Sequence, residues 1–234
     1  MYYWGNSMYN SYYIVIIAAF VITLIAQIRV KTTFNKYSTV LSSTGMTGAM
    51  TAANLLASQG IGNVAIGRVQ GSLTDHYNPS NKTLGLSEPV YDKTSLSAIA
   101  VAAHECGHAM QHAFGYGPLA LRTAIVPIAS FSSRFSWIFL IIGLFYYSTV
   151  GSIFLRIGII MFSAAVLFQL ITLPVEINAS RRALVLLEQN GILTPQENKG
   201  AKAVLRAASM TYVAAASASI LQLLRLIAIA RSRR

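Results

Sequence analysis

The stretch His104-Glu105-Cys106-Gly107-His108 places two histidines and a glutamate within five residues of a largely apolar segment. The surrounding sequence predicts a helix, with Gly115 available to end it and three residues available to cap its start: Asp92, Thr94 and Ser95. At about 100° per residue, the two imidazoles lie about 40° apart on this helix, and Glu105 lies about 100° from His104. Apolar residues, mostly alanines, fill the opposite arc. The motif therefore predicts one packed face and one face that carries three ionisable groups.

Two histidines four residues apart on a helix have the spacing of two ligands of one tetrahedral zinc ion. A glutamate directly after the first histidine can act on a water molecule at such a metal. The sequence therefore predicts His104 and His108 as ligands of one Zn²⁺ ion and Glu105 as a general base. An ordinary amphipathic helix would also be polar on one face, but it would not need this combination of residues.

Zinc needs at least a third protein ligand, and two candidates stand out. His112 lies one turn beyond His108, but a rigid helix carries it away from a metal held by the preceding pair. Phe114 occupies the place of the last histidine in the extended pattern H-E-x-x-H-x-x-G-x-x-H. Glu176 follows an apolar stretch and is the stronger candidate. Because Pro174 is suited to a helix start, Glu176 could instead be a first-turn glutamate favoured by the helix dipole.

The composition indicates an integral membrane protein, since 54% of the 234 residues are hydrophobic and only 11% are charged. Three apolar stretches account for the excess, at 12–28, 137–147 and 153–173, and a bilayer span needs about 20 residues. A fourth stretch, 212–230, carries a polar stripe and is predicted either to span the bilayer or to lie at its interface. Aromatic residues near the N-terminus predict an interfacial belt: Tyr2, Tyr3, Trp4, Tyr9 and Tyr12.

Basic residues predict the orientation of these segments. A cluster of them follows the first apolar stretch: Arg29, Lys31 and Lys36. The positive-inside rule then places the N-terminus outside and the residues after 28 in the cytoplasm. The uncharged link 148–152 lies outside, and the chain returns to the cytoplasm near Pro174. We therefore expect a multi-pass protein of the cell membrane in which both parts of the metal site face the cytoplasm.

The predicted fold class is mainly α, with three to four transmembrane helices and a small antiparallel β-sheet. Strand character occurs at 63–70, 73–76 and 83–86, with a turn at 78–81. The predicted parts are a transmembrane anchor at 1–28, a cytoplasmic part with the H-E-x-x-H helix at 29–134, a transmembrane hairpin at 135–173, cytoplasmic helices with the third ligand at 174–211, and a C-terminal hydrophobic helix at 212–234.

The distribution of charge indicates which molecules the chain binds, and the cysteine content indicates whether it forms disulfides. The net charge of +11 is spread along membrane-flanking stretches and forms no compact patch interleaved with stacking aromatics, so we expect anionic lipid and no nucleic acid. The single cysteine, Cys106, excludes an intramolecular disulfide. Its place on the apolar arc predicts a packed thiol and no catalytic role.

Four stretches of the sequence resemble the YugP-type membrane zinc metallopeptidases. They are Gly-Ser-Leu-Thr-Asp-His-Tyr-Asn-Pro (71–79), Leu-Ser-Glu-Pro-Val-Tyr (86–91), Ala-Ala-His-Glu-Cys-Gly-His-Ala-Met-Gln-His (102–112) and Leu-Pro-Val-Glu-Ile-Asn-Ala-Ser-Arg-Arg-Ala (173–183). The stretches 31–38 and 45–48 also fit this family, so the resemblance covers nearly the whole chain. It implies a zinc-dependent membrane peptidase with a gluzincin-like core and an HtpX-like order of zinc helix, membrane hairpin and glutamate helix. By that resemblance His104, His108 and Glu176 bind zinc, and Glu105 is the catalytic base.

Two positions depart from the pattern of similar proteins. Asn178 stands where an acidic residue is expected in many relatives, and Ser180 stands where an HtpX-like E-x-x-A-D pattern has its aspartate. These departures leave open which residue hydrogen-bonds a zinc histidine. They remove no metal ligand.

The expected function is a zinc metalloendopeptidase that acts on membrane or membrane-proximal polypeptides. A peptide could add as a strand to a sheet edge within 63–87. Five residues are candidates for the hydrogen-bond donor that would stabilise the oxyanion, and the sequence does not rank them: His76, Tyr77, Tyr91, Arg181 and Arg182. The alternative function is a catalytically silent zinc-binding scaffold or assembly factor. The sequence predicts neither the physiological substrate nor the oligomeric state.

Overall fold

A computed structural model describes residues 3–146 and 148–232, with side chains described from residue 13 onward. The predicted aromatic belt and Tyr147 fall outside the described side chains. Within the described ranges the chain forms seven helices and three strands. In chain order they are α1 (Tyr3–Ser38), α2 (Gly48–Ser58), β1 (Ala65–Val69), β2 (His76–Asn78), β3 (Thr83–Ser87), α3 (Glu88–Tyr91), α4 (Leu96–Ala113), α5 (Gly117–Phe145), α6 (Thr149–Gln189) and α7 (Pro195–Ser232).

The chain divides into two compact units. The first, here called the apolar unit, contains residues 1–26, 121–172 and 211–234. The second, here called the motif unit, contains 27–120 and 173–210 and therefore the H-E-x-x-H sequence. The four long helices α1, α5, α6 and α7 each contribute to both units.

Four helices, α1, α5, α6 and α7, are long and apolar enough to cross a membrane. The prediction of a mainly helical, multi-pass membrane protein is therefore confirmed, and α5 is longer than the stretch 137–147 that predicted it. In the apolar unit, α5 and α6 approach closely at glycines, since a Cβ on Gly143 would clash with the Leu155 backbone nitrogen. Apolar side chains of α1 such as Phe20, 66% exposed, are suited to contact lipid.

Helix α6 passes through Pro174 without a break, so the prediction that this proline begins a helix was wrong. A proline inside a helix removes one backbone hydrogen bond and costs about 3 kcal/mol. Here the residues that follow it are tightly packed, with Val175 and Ala179 fully buried. Packing of the continuous helix outweighs the local preference of the proline. Gly191, with φ +63°, follows the end of α6.

The small sheet has the strand order β1-β3-β2 and is mixed, so the prediction of an antiparallel sheet holds for only one of its two pairs. β2 pairs antiparallel with β3 through a hairpin, and β1 pairs parallel with β3. β3 is the central strand, and its residues 84–87 are buried. After β1 the chain first forms the outer strand β2 and then returns as β3 between the two. Leu73 has φ +60° and lies outside β2, which begins at His76, later than the predicted strand.

Helix α4 forms the centre of the motif unit. Ser95 caps it by accepting a hydrogen bond from the Ala98 nitrogen at 3.3 Å, and Gly115 follows its end with φ +64°. Its apolar face packs into the core and includes Cys106, which is fully buried. Burial and the nearby Glu105 charge raise the pKa of the Cys106 thiol well above its ordinary value. The cysteine is therefore a packing residue and not a reactive thiolate.

Candidate metal centre

The two histidines of α4 and Glu176 of α6 converge on one point. The Glu176 Oε2 atom lies 3.2 Å from His104 Nε2 and 3.5 Å from His108 Nε2. One ligand atom from each of the three residues lies within 4.8 Å of the others. Glu176 is 2% exposed and His108 is 8% exposed. A histidine pair and a carboxylate thus share a largely buried position.

These distances fit a zinc ion. In a tetrahedral site with ligand bonds of about 2.1 Å, ligand atoms lie about 3.4 Å apart, close to the separations of Glu176 Oε2 from the two histidine nitrogens. Two imidazoles and one carboxylate are also a ligand set of catalytic zinc sites that keep one position open for water. The cluster could therefore hold a metal ion, and its residue types favour zinc.

Gly107 allows helices α4 and α6 to cross in close contact. A Cβ on Gly107 would lie 2.5 Å from the Ala179 carbonyl oxygen and 3.0 Å from the Ala179 Cα. Backbone therefore packs against backbone where α4 crosses α6. Glu176 lies three residues before Ala179, on the same side of α6, so this contact carries its carboxylate to the histidines.

The charges of the cluster influence one another. Burial lowers the pKa of His108, but a hydrogen bond to Glu176, the charges of Glu105 and Glu176 and a hydrogen bond to Gln111 outweigh it, so the pKa is raised overall. Glu105 is 7% exposed, and among the described residues none hydrogen-bonds to its carboxylate. No hydrogen bond from the described protein atoms therefore competes for its carboxylate oxygens.

The other nitrogen of each imidazole also has a partner. His108 Nδ1 lies 3.0 Å from Gln111 Oε1, and His104 Nδ1 lies 3.1 Å from the Ser180 hydroxyl. Such partners orient metal-binding histidines and select the nitrogen that faces the metal. Ser180, a departure noted in the sequence, takes the position of the expected aspartate as a partner of His104. Sequence reasoning missed Gln111, although its place three residues after His108 puts both on one side of α4.

Comparison with known proteins identifies the family. Residues 12–231 match the model of the family described as "Putative neutral zinc metallopeptidase". The chain is 47% identical over 214 residues to the "Putative membrane protease YugP" of Bacillus subtilis (strain 168), covering 91% of this chain and 93% of that protein. The chain belongs to this family. No solved structure shows a significant match to it.

Membership of the neutral zinc metallopeptidase family confirms the resemblance seen in the sequence. The family description names zinc and peptidase activity, and the relative's name places that protein in a membrane. Both agree with a His-His-Glu cluster that could bind metal and with four apolar helices in this family member.

His112 lies outside the His-His-Glu cluster of this metallopeptidase-family chain. Its Nδ1 is 2.8 Å from the Tyr77 hydroxyl, and both residues line a cavity of about 660 Å³ together with Lys82. Burial raises the pKa of Tyr77, so its phenol stays protonated and can donate a hydrogen bond.

The other candidates for oxyanion stabilisation have separate contacts. His76 Nδ1 lies 2.9 Å from the Thr74 carbonyl oxygen, and the Tyr91 ring lies under the Arg68 guanidinium at 4.7 Å. Arg181 is exposed. Arg182 hydrogen-bonds to Asn178 and lies 5.9 Å from the centre of the Tyr116 ring. Of the five, Tyr77 contacts α4 through His112.

The stretch 71–79, which carries part of the family resemblance, has a structural role. The Asp75 carboxylate accepts hydrogen bonds from the Ser87 nitrogen at 2.7 Å and from the Ser87 hydroxyl at 2.8 Å. Thr74 donates from its hydroxyl to the Gln70 carbonyl at 2.8 Å. These bonds fix the segment that leads into β2.

Proposed function

We propose that this chain is a membrane-bound zinc-dependent endopeptidase in which His104, His108 and Glu176 hold one Zn²⁺ ion and Glu105 is the general base. The observation that carries the proposal is the position of Glu176 Oε2, 3.2 Å and 3.5 Å from the two imidazole nitrogens of the motif. The family membership and the match of these distances to a tetrahedral site support it.

Zinc bound at this cluster supplies Lewis-acid chemistry, which lowers the pKa of water toward ~7 and polarises a peptide carbonyl. The Glu105 carboxylate accepts a proton from the attacking water and then donates it to the nitrogen of the leaving amine. His104 and His108 each present one nitrogen lone pair, and their other nitrogens are held by Ser180 and Gln111. The low exposure of Glu105 and His108 limits bulk water around the reacting groups.

The substrate class in this proposal is a membrane or membrane-proximal polypeptide. β1 and β2 are the edge strands of the sheet, and β2 lies next to α4 through the Tyr77–His112 hydrogen bond. An extended peptide could pair with the free edge of β2 through backbone hydrogen bonds. Proline substitutions within β2 remove backbone donors, and cleavage efficiency that is unchanged in all of them would count against this binding mode.

The orientation in this proposal places the motif unit in the cytoplasm. By the positive-inside rule, this orientation is favoured by the basic residues that follow the apolar stretches 12–28 and 153–173: Arg29, Lys31, Lys36, Arg181 and Arg182. Because the native cysteine is buried, a cysteine introduced at Lys36 can be labelled with low background. In intact cells, a membrane-impermeant thiol reagent should label Lys36→Cys only after permeabilisation.

The test of the catalytic proposal is the variant Glu105→Gln. It should retain zinc and lose proteolysis, because the amide keeps the size of the side chain but cannot accept the proton. His104→Ala should lose both zinc and proteolysis. A zinc-loaded wild type that cleaves no peptide would refute the endopeptidase and favour the scaffold function instead.

A further inference from the structure

We propose that Gln111, Asn178 and Arg182 are positioning residues that hold a ring hydrogen of His108 on Nδ1, so that Nε2 is the nitrogen presented to the metal. The inference rests on the proposed role of His108 as a zinc ligand. It assigns a role to Asn178, which departs from the residue type expected in similar proteins, and to one arginine of the pair that follows it.

Four hydrogen bonds link these residues into one network between α4 and α6. His108 Nδ1 lies 3.0 Å from Gln111 Oε1. Gln111 Nε2 lies 2.8 Å from the Val175 carbonyl oxygen and 3.0 Å from Asn178 Oδ1. Arg182 Nε donates to the same Asn178 Oδ1 at 2.8 Å. Gln111 is fully buried, so its amide depends on these protein partners.

The Arg182 guanidinium and the Val175 carbonyl, at the two ends of the network, set the direction of every hydrogen bond in it. A guanidinium only donates, so the Asn178 atom that faces Arg182 must be the amide oxygen. A backbone carbonyl only accepts, so the Gln111 atom that faces Val175 must be the amide nitrogen. This nitrogen also satisfies the Asn178 oxygen.

The orientation of Gln111 then determines the tautomer of His108. With its nitrogen directed to Val175 and Asn178, Gln111 presents its oxygen to His108. A hydrogen therefore sits on Nδ1 of His108, which leaves Nε2, the atom 3.5 Å from Glu176 Oε2, as the nitrogen for the metal. Two independent groups, the Val175 carbonyl and the Arg182 guanidinium, enforce this result.

The Nδ1 atom of the other histidine is not fixed in this way. Its partner is the Ser180 hydroxyl, which can donate or accept, while the His104 Nε2 atom lies 3.2 Å from the Glu176 carboxylate. The two histidines of α4 therefore differ, since the network holds a hydrogen on Nδ1 of His108 and the Ser180 hydroxyl imposes no such requirement on Nδ1 of His104. A neutral amide network also adds no negative charge to a site that already contains Glu105 and Glu176.

The experiment compares zinc affinity, measured by competition with a chelator, in variants of the purified full-length chain. Gln111→Met keeps the side-chain length, removes the hydrogen bonds and should lower zinc affinity by about 10- to 100-fold. Asn178→Asp keeps an oxygen acceptor for Gln111 and Arg182 and should bind zinc at least as tightly as the wild type. Gln196→Met, at an exposed position, is the matched control and should have no effect. Unchanged zinc affinity in folded Gln111→Met would overturn the proposal.

A second comparison covers the case in which Gln111→Met does not fold. Position 178 is only partly buried, so Asn178→Leu should fold and bind zinc more weakly than Asn178→Asp. Equal zinc affinity in these two variants would also overturn the proposal.

Nitrogen-15 NMR of labelled histidines gives a readout that does not depend on proteolysis. In the zinc-loaded wild type, the His108 ring should carry a slowly exchanging hydrogen on Nδ1, and Gln111→Met should lose that protection. A hydrogen on Nε2 of His108 would contradict the network. If the wild type binds no zinc, the proposed function fails, while a protected hydrogen on Nδ1 of His108 in the metal-free chain still tests the network by itself.

Discussion

Gly107→Ala should damage zinc binding far more than it damages folding. The added Cβ would lie 2.5 Å from the Ala179 carbonyl oxygen, and an ordinary contact begins at about 3.4 Å, so α4 and α6 must separate by about 1 Å. Overpacking of this kind costs about 1–3 kcal/mol. Replacement of glycine by alanine within a helix increases the free energy of unfolding by about 1 kcal/mol. The net loss of stability should therefore be at most about 2 kcal/mol.

The same displacement acts directly on the metal cluster. Glu176 lies one turn before Ala179, so a shift of about 1 Å removes its oxygen from bonding distance of an ion held by His104 and His108. A misplacement of about 1 Å can cost about 10²-fold in rate, and we expect a loss of at least that size in kcat/KM. Zinc affinity should fall with it.

The assay measures zinc affinity, kcat/KM on a peptide and thermal unfolding in the same preparations. Gly117→Ala is the matched control, because Gly117 also lies in a helix and a Cβ there meets nothing within 4 Å. Gly107→Ala with wild-type zinc affinity and kcat/KM would refute the argument that the close crossing of α4 and α6 builds the site.

Three further predictions test single groups. Glu105→Gln should lower kcat/KM by about 10²- to 10⁴-fold with zinc content unchanged, and loss of zinc from this variant would contradict its role as a base. Glu176→Ala should lose zinc in metal analysis, whereas His112→Ala should keep it, and the reverse result would exchange the two candidate ligands. Burial raises the pKa of Glu197, but hydrogen bonds from Thr194 and Ser43 outweigh this effect and lower it. Its stabilising contribution is therefore present above the ordinary glutamate pKa of about 4.3 and is lost as the pH falls through the lowered value. At neutral pH, Glu197→Ala should cost about 1 kcal/mol in chemical unfolding, a difference from the wild type that should vanish in acid.

The sequence was sufficient for features that depend on local patterns. Apolar runs predicted the helices long enough to cross a membrane, Gly115 predicted the end of α4, and Ser95 was one of three predicted caps for its start. The motif predicted the histidine pair, and the structure brings Glu176 to that pair. Glu176 was the stronger of two candidate third ligands because it follows the apolar hairpin, and the family resemblance implied it as well.

Features that depend on packing between distant segments were not predictable in the same way. Pro174 favours a helix start locally, and only the burial of the residues after it keeps α6 continuous. The parallel pairing joins β1 to β3, two strands that are not consecutive in the chain, and no local pattern in either strand indicated it. Gln111 gains its importance from Val175 and Asn178 on another helix, so its own sequence context gave little sign of it.

X-ray absorption at the zinc edge of the purified, zinc-loaded chain reports the ligands of the bound ion. We expect one zinc per chain, two imidazole nitrogens and carboxylate oxygen at about 2.0–2.2 Å, and no sulfur, since Cys106 is buried on the opposite face of α4. A sulfur ligand, a single imidazole, or a chain that binds no zinc would contradict this expectation.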